Sequence, residues 1–247
     1  MAAHQTHEPV PVGTSKRFVF PRWANFLLPI LVLGALGAGL YVPTVVYYGF
    51  SPRATAVGYE PKQPVDFSHA MHAGQLGLDC RYFHTTVEKA AFAAVPPAQT
   101  CMNCHTAVQG LSTRDPDPKK VENKLAKVHE SWDKGTPIPW QKVHDVPDYV
   151  FFNHSAHVSK GVGCFSCHGR IDQMEVVHQE QPLSMSWCLD CHREPEKHLR
   201  PKDQVTNMAW SAEKDAGKSQ LDLGRELKKQ YGIHNADYMT SCYVCHR

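Results

Sequence analysis

The sequence predicts a mainly α-helical and irregular protein, with one N-terminal transmembrane helix and then a larger domain of short helices and long loops wrapped around cofactors. Three observations predict it. An apolar run without a single charge occupies residues 24 to 50. Cysteine and histidine recur together, in one spacing, along the rest of the chain. No stretch shows the polar/apolar alternation of a half-buried strand.

The elements follow in order. Residues 1–22 are a polar tail punctuated by Pro9, Pro11 and Pro21. Arg22 and Arg53 bound a stretch with no charged side chain, long enough to cross a bilayer with some tilt, and residues 23–50 are read as an anchor. Lys16, Arg17 and Arg22 precede it and only Arg53 follows closely, so the positive-inside rule leaves the tail in the cytoplasm and the remaining chain on the periplasmic side. Trp23 at one end and Tyr47 and Tyr48 at the other suit the two membrane interfaces. A cleaved signal peptide would have a shorter apolar region ending in small residues. The bulky Tyr41-Val-Pro-Thr-Val-Val-Tyr-Tyr48 argues instead for a retained anchor. Gly34 with Ala38, and Ala35 with Gly39, set small residues four apart, a spacing that permits a close helix partner.

From residue 51 onward basic and acidic side chains balance, and the whole chain carries a net charge of +2. That excludes the basic footprint of a nucleic-acid-binding protein. Nine cysteines in an exported chain would ordinarily suggest disulfides. Their spacing assigns them differently. Eight fall in Cys101-Met-Asn-Cys104-His105, Cys164-Phe-Ser-Cys167-His168, Cys188-Leu-Asp-Cys191-His192 and Cys242-Tyr-Val-Cys245-His246. Two thiols one helical turn apart meet the two vinyl groups of a haem, and the next residue presents its imidazole to the iron. Zinc also uses paired cysteines, but it does not require a histidine directly after each pair. The ninth, Cys80, opens Cys80-Arg-Tyr-Phe83-His84, which keeps the first thiol and the histidine and has Phe83 in place of the second thiol. The expectation is five haems c, four held by two thioethers and one by the single thioether of Cys80.

The segment contains a repeat. Phe67-Ser-His69-Ala-Met-His72 precedes Cys80…His84 and Cys101…His105; Phe152-Asn-His154-Ser-Ala-His157 precedes Cys164…His168 and Cys188…His192. Two modules, 64–112 and 144–200, are therefore expected in a cytochrome domain spanning 51–247, joined by a linker helix within 113–143 and closed by a C-terminal haem segment, 201–247. The linker helix should start after Pro118 and stop at Lys134-Gly135, and a second polar helix should run from Ser219 to Tyr231. With His84, His105, His168, His192 and His246 as proximal ligands, each iron needs a sixth. His69, His72, His154 and His157 are the leading candidates, because their three-residue spacing lets one short helix serve two haems. His144 is favoured as the fifth; His129, His178 and His234 are weaker options, as are Met174 and Met185, which would raise a potential relative to bis-histidine ligation. His198 reads as a surface residue.

Phe-x-His-x-x-His before Cys-x-x-Cys-His is similar to the class III multihaem cytochromes of the c3 and c7 type. The wider pattern adds Trp140…Val143-His144…Pro147-Asp148-Tyr149, Cys167-His-Gly-Arg-Ile-Asp-Gln-Met-Glu-Val-Val and Pro182-Leu-Ser-Met-Ser-Trp187-Cys. With these it resembles the pentahaem A subunit of bacterial alternative complex III over nearly everything after residue 20. That resemblance implies a single-pass subunit of the bacterial cytoplasmic membrane within a quinol-oxidising complex. Its partners would be an iron–sulfur subunit supplying electrons, integral membrane quinol-binding subunits, and a further cytochrome or soluble carrier taking electrons away. Phe83 departs from that family's motif.

Irons with two protein ligands cannot bind substrate, so the reading is an electron carrier without a catalytic residue of its own. A membrane-anchored multihaem quinol dehydrogenase is the alternative, although such proteins bring a haem motif closer to the membrane than Cys80 stands from Phe50. A multihaem reductase of a small molecule would need an open iron, which the supply of spare histidines argues against.

Overall fold

The computed structural model describes residues 20–108 and 123–246. Most of the expected tail, the end of the first module and the expected start of the linker helix lie outside them. The chain divides into two compact units, Met1–Phe50 and Ser51–Arg247.

In the first unit a 3-10 turn, Arg22–Phe26, leads into α1 (Leu27–Val45) and then a π-helical turn, Val46–Phe50. Together they make 29 residues with a best-window mean hydropathy of 2.0 and no buried face, long and apolar enough to cross a membrane. Apolar side chains all round the helix leave no stripe for a soluble core, which is the pattern of a helix solvated by lipid. Pro43 removes one backbone donor, and the Thr44 hydroxyl donates to the Leu40 carbonyl at 2.7 Å, a local repair of the kind tolerated within membranes.

The second unit is built from short helices: α2 (Cys80–Phe83), α3 (Ala98–His105), α4 (Ala126–Lys134), α5 (His154–Ser159), α6 (Phe165–His168), α7 (Met185–Arg193), α8 (Ala212–Asp215), α9 (Gln220–Gln230), α10 (Ala236–Met239) and α11 (Cys242–Cys245). Among the described residues there is no strand; an isolated antiparallel bridge joins Val162 and Leu199. Helices this short depend on their caps. The side chains of Asp79, Asn153, Ser219 and Asn235 each accept a backbone N–H of the first turn of α2, α5, α9 and α10. The second expected polar helix thus begins one residue after its Ser219 cap. The linker helix ends as expected, with Gly135 left-handed at φ 64° and its N–H on the Ser131 and Trp132 carbonyls. Its described part starts only at Ala126.

Packing is sparse. Eleven apolar residues are buried among those described, in a domain close to two hundred residues long. One cluster joins Leu199, Trp210, Ala212, Leu223 and Leu227; another joins Val65, Met102 and Val128, tying α4 to α3. A protein core this thin calls for further apolar material from bound groups. Close backbone contact does part of the work. A Cβ at Gly224 of α9 would lie 2.0 Å from the Glu196 carbonyl oxygen, and the next nearest atoms are backbone too, so nothing flexible can yield. Gly224→Ala is expected to lower unfolding stability by about 1–3 kcal/mol, measured by chemical denaturation, by prising α9 from the turn Pro195–Lys197.

Candidate functional site

Every cysteine–histidine segment lies on or beside a short helix. Cys101, Cys104 and His105 belong to α3, and Cys188, Cys191 and His192 to α7. Cys164 caps α6, which carries Cys167 and His168; Cys242 and Cys245 bound α11 with His246 at its end; Cys80 opens α2 and His84 follows it. A three-residue spacing on a helix places the two sulfurs of each intact segment on one face. Burial pushes the thiols up, Cys164 and Cys191 to about 11 and Cys167 to about 12. Among the described residues no group of three or more histidine, cysteine or acidic side chains stands at metal-ligating separation.

Seven of the ten candidate ligand imidazoles share one arrangement. The Nδ1 atoms of His84, His105, His192 and His246 lie 3.0, 2.9, 2.9 and 3.0 Å from the carbonyl oxygens of Ala94, Val108, Met239 and Tyr149. Those of His72, His154 and His157 each lie 2.8 Å from the carbonyls of Ser68, Ala91 and Asn153. A carbonyl can only accept, so the proton sits on Nδ1 and Nε2 keeps its lone pair, the orientation that second-shell partners impose on metal-bound histidine.

Two pairs stand out. The rings of His72 and His105 have centres 6.1 Å apart, and those of His157 and His192 are 6.2 Å apart. A ligating imidazole nitrogen sits about 2 Å from its metal and about 1 Å from its own ring centre, so two trans imidazoles bring their ring centres to about 6 Å. The pairs occupy equivalent places in the two modules, joining the second histidine of Phe-x-His-x-x-His to the module's second Cys-x-x-Cys-His. Phe67 and Phe152, which composition alone did not single out, explain the positioning. Phe67 stacks on His72 at 4.3 Å and meets His69 edge-on at 4.9 Å; Phe152 stacks on His157 and meets His154 edge-on, both at 4.7 Å. Both stand at the head of the repeated Phe-x-His-x-x-His pattern noted in the sequence.

The remaining candidates gather around one cavity of about 990 Å³, lined by Cys80 and His84, by Cys164 and His168, and by His69, His144 and His154. Its size is at the upper end of ligand pockets. Burial, then the neighbouring imidazoles of His84, His72 and His144, holds His69 down to about 4. Burial, then His178 and His154, does the same to His144. Burial and the surrounding imidazoles, His144 first, take His168 to about 3. These rings are therefore neutral and competent as ligands. His69 Nδ1 is buried without a hydrogen-bond partner among the described groups. His144 lies against His168, ring centres 4.4 Å apart and Nε2 3.3 Å from His168 Nδ1, a hydrogen-bonded pair closer than two ligands of one iron.

No candidate histidine is stacked on His246, whose ring lies against Tyr149 at 5.9 Å. Of the weaker options, His178 lies between Glu60 and Glu180 at 3.6 and 3.3 Å, His234 is exposed and packed on Tyr238 at 4.3 Å, and Met185 is 65% exposed. Met174 is buried. His198 differs from its surface reading: it is half-buried, and burial lowers its pKa.

Haem c fits the helical cysteine–histidine segments and the carbonyl-fixed imidazoles present here. No protein-family model matches the chain. It is similar to the menaquinone reductase multihaem cytochrome c subunit of Nitratidesulfovibrio vulgaris, 27% identical over 189 residues that make up 76% of this chain and 78% of that protein. This likeness supports the multihaem cytochrome c family for the present chain.

Proposed function

We propose that this chain is the electron-carrying subunit of a quinol-linked membrane complex, holding five haems c, and that the complex is of the alternative complex III type. The observation that carries the reading is the pair of imidazole pairs, His72 with His105 and His157 with His192, each at the separation of two ligands on one iron with both Nδ1 atoms committed to carbonyls. Bound haem supplies a one-electron iron couple. The residues hold that couple rather than react: cysteines fix each ring, carbonyls fix each imidazole, and paired ligation closes the iron to substrate. His69, His144 and His154 serve the cavity between Cys80–His84 and Cys164–His168. The Nitratidesulfovibrio relative is a subunit of a menaquinone reductase, which favours a quinone-linked partner here. The apolar helix Arg22–Phe50 would anchor the chain with its haem domain on the periplasmic side.

Purification in detergent with its neighbours tests the reading. The expected result is quinol-dependent haem reduction by the complex, none by the isolated chain, and low-spin electron paramagnetic resonance signals throughout. Quinol oxidation by the isolated chain would favour the membrane-anchored dehydrogenase, and a large high-spin population binding nitrite would favour the reductase.

Phe83 bears on the first haem. Its ring packs 5.7 Å from Phe67 and 6.1 Å from His72, so the side chain that replaces a second thiol supports the neighbouring ligand. Nine cysteines then give nine thioethers. A single-thioether haem keeps one conjugated vinyl and absorbs at longer wavelength in its pyridine haemochrome. Phe83→Cys is expected to remove that red-shifted component; a wild-type spectrum without it would refute the single attachment.

A further inference from the structure

Arg200 is a buried cation that the ligand reading leaves unused. It is 7% exposed and sits in the stretch that braces the Cys164 segment. Its backbone N–H donates to the Gly161 carbonyl at 2.8 Å, and the Cys164 N–H donates to the Val205 carbonyl at 3.0 Å. The guanidinium carbon lies 5.2 Å from the centre of the Trp210 ring, and Nη1 donates to the Asn207 carbonyl at 2.8 Å. Nε is buried with no acceptor among the described groups, and no described carboxylate forms an ion pair with Arg200. The carboxylate nearest in function, Asp79, is already engaged by Arg81 at 2.9 Å and by the Thr206 hydroxyl at 3.1 Å.

Glycine makes this placement possible. A Cβ at Gly163 would stand 2.2 Å from Arg200 Nε and 2.5 Å from Cζ, so the guanidinium rests directly on the backbone that enters Cys164. Its charge reaches the Cys164 sulfur, where it opposes the upward push of burial. An unpaired buried cation costs several kcal/mol, so retaining one requires a compensating gain. An iron that accepts an electron gains negative charge, and a buried positive charge close by stabilises the reduced state more than it would in water.

We propose that Arg200 is the electrostatic positioning residue of the haem attached through Cys164 and Cys167, and that its charge raises the reduction potential of that haem. This rests on the haem reading above. Electrons entering the chain would settle on the His168 site in preference to a chemically equivalent site lacking such a charge.

Potentiometric titration of the full purified chain, read by haem absorbance, tests it. Arg200→Gln is expected to lower one midpoint potential by about a tenfold change in the one-electron equilibrium, about 59 mV, with the other midpoints in place. Arg200→Lys keeps the charge and is expected to move it by less than about a third of that. Asn207→Asp adds a carboxylate on an exposed residue beside the guanidinium and is expected to lower the same midpoint. Full haem content with unshifted midpoints in Arg200→Gln would overturn the proposal, as would equal shifts in Arg200→Lys and Arg200→Gln, which would mark a packing role. If Arg200→Gln loses haem, an unshifted midpoint in Asn207→Asp overturns it. Failure of the underlying reading is separate: a wild-type chain without covalent haem in its pyridine haemochrome.

Discussion

His157→Ala is expected to open one haem to carbon monoxide and leave the others closed. His157 stands 6.2 Å from His192 between ring centres, its Nδ1 is fixed by the Asn153 carbonyl at 2.8 Å, and Phe152 stacks on its face. Burial lowers its pKa. No other imidazole is stacked against His192 among the described residues, so alanine leaves no imidazole in place of His157 beside it. The expected readout is a new high-spin signal with loss of one low-spin component, and a carbon monoxide difference spectrum absent from the wild type. Haem content should not change, because the thioethers at Cys188 and Cys191 remain. His72→Ala should reproduce the effect at the Cys101–His105 segment, by the symmetry of the repeat. His234→Ala, on an exposed ring packed against Tyr238, serves as control and should leave all spectra unaltered. Unchanged low-spin signals in His157→Ala would refute the pairing.

The cysteine–histidine segments could be picked out in the sequence because their spacing repeats, and each lies on or beside a short helix. The apolar helix was legible because an uninterrupted uncharged run of this length leaves little else to form. α9 was legible from its Ser219 cap and amphipathic pattern, and the end of α4 from Gly135. The partners of the imidazoles were not, because Ala94, Val108, Met239 and Tyr149 act through backbone carbonyls that any residue carries. Nor was the π-helical form of Ala70–Gln75, where a Cβ at Gly74 would lie 2.2 Å from the Asp172 carbonyl oxygen. That contact is between modules and leaves no periodic trace. His144 could be picked out as a ligand candidate, but its hydrogen bond to His168 could not, since it depends on how the loop from Trp140 enters the cavity. Arg200 was invisible for the same reason: only the fold shows that an arginine in a polar stretch is buried over Gly163.

The two repeated segments position each other's imidazoles. His154 Nδ1 and backbone N–H both approach Ala91 of the first module, and Ala70 beside His69 donates its N–H to Met174 of the second. His192 is set by Met239 of the C-terminal segment, which is itself held through Phe151 N–H on the Cys245 carbonyl and His246 on Tyr149. Imidazole geometry is consequently a property of the whole domain, and damage to the small protein core should reach the proposed haem sites.

Leu199→Ala is the sharpest test of that coupling. Leu199 is wholly buried, packs with Trp210, Ala212, Leu223 and Leu227, and bridges to Val162. Its carbonyl accepts from Gln220 Nε2 at 2.8 Å, and its neighbours His198 and Arg200 contact Gly163 and Gly161 just before Cys164. Truncation should cost about 2–5 kcal/mol of unfolding free energy, towards the upper end because few other apolar residues can close over the void. Denaturant titration followed by far-ultraviolet circular dichroism reads that loss. Haem content should stay constant while the low-spin spectrum of the Cys164–His168 site collapses at lower denaturant than in the wild type. Leu199→Ile, which conserves volume, should cost less than about 1.5 kcal/mol. If Leu199→Ala unfolds with wild-type stability, the cofactors rather than this cluster hold the C-terminal part together.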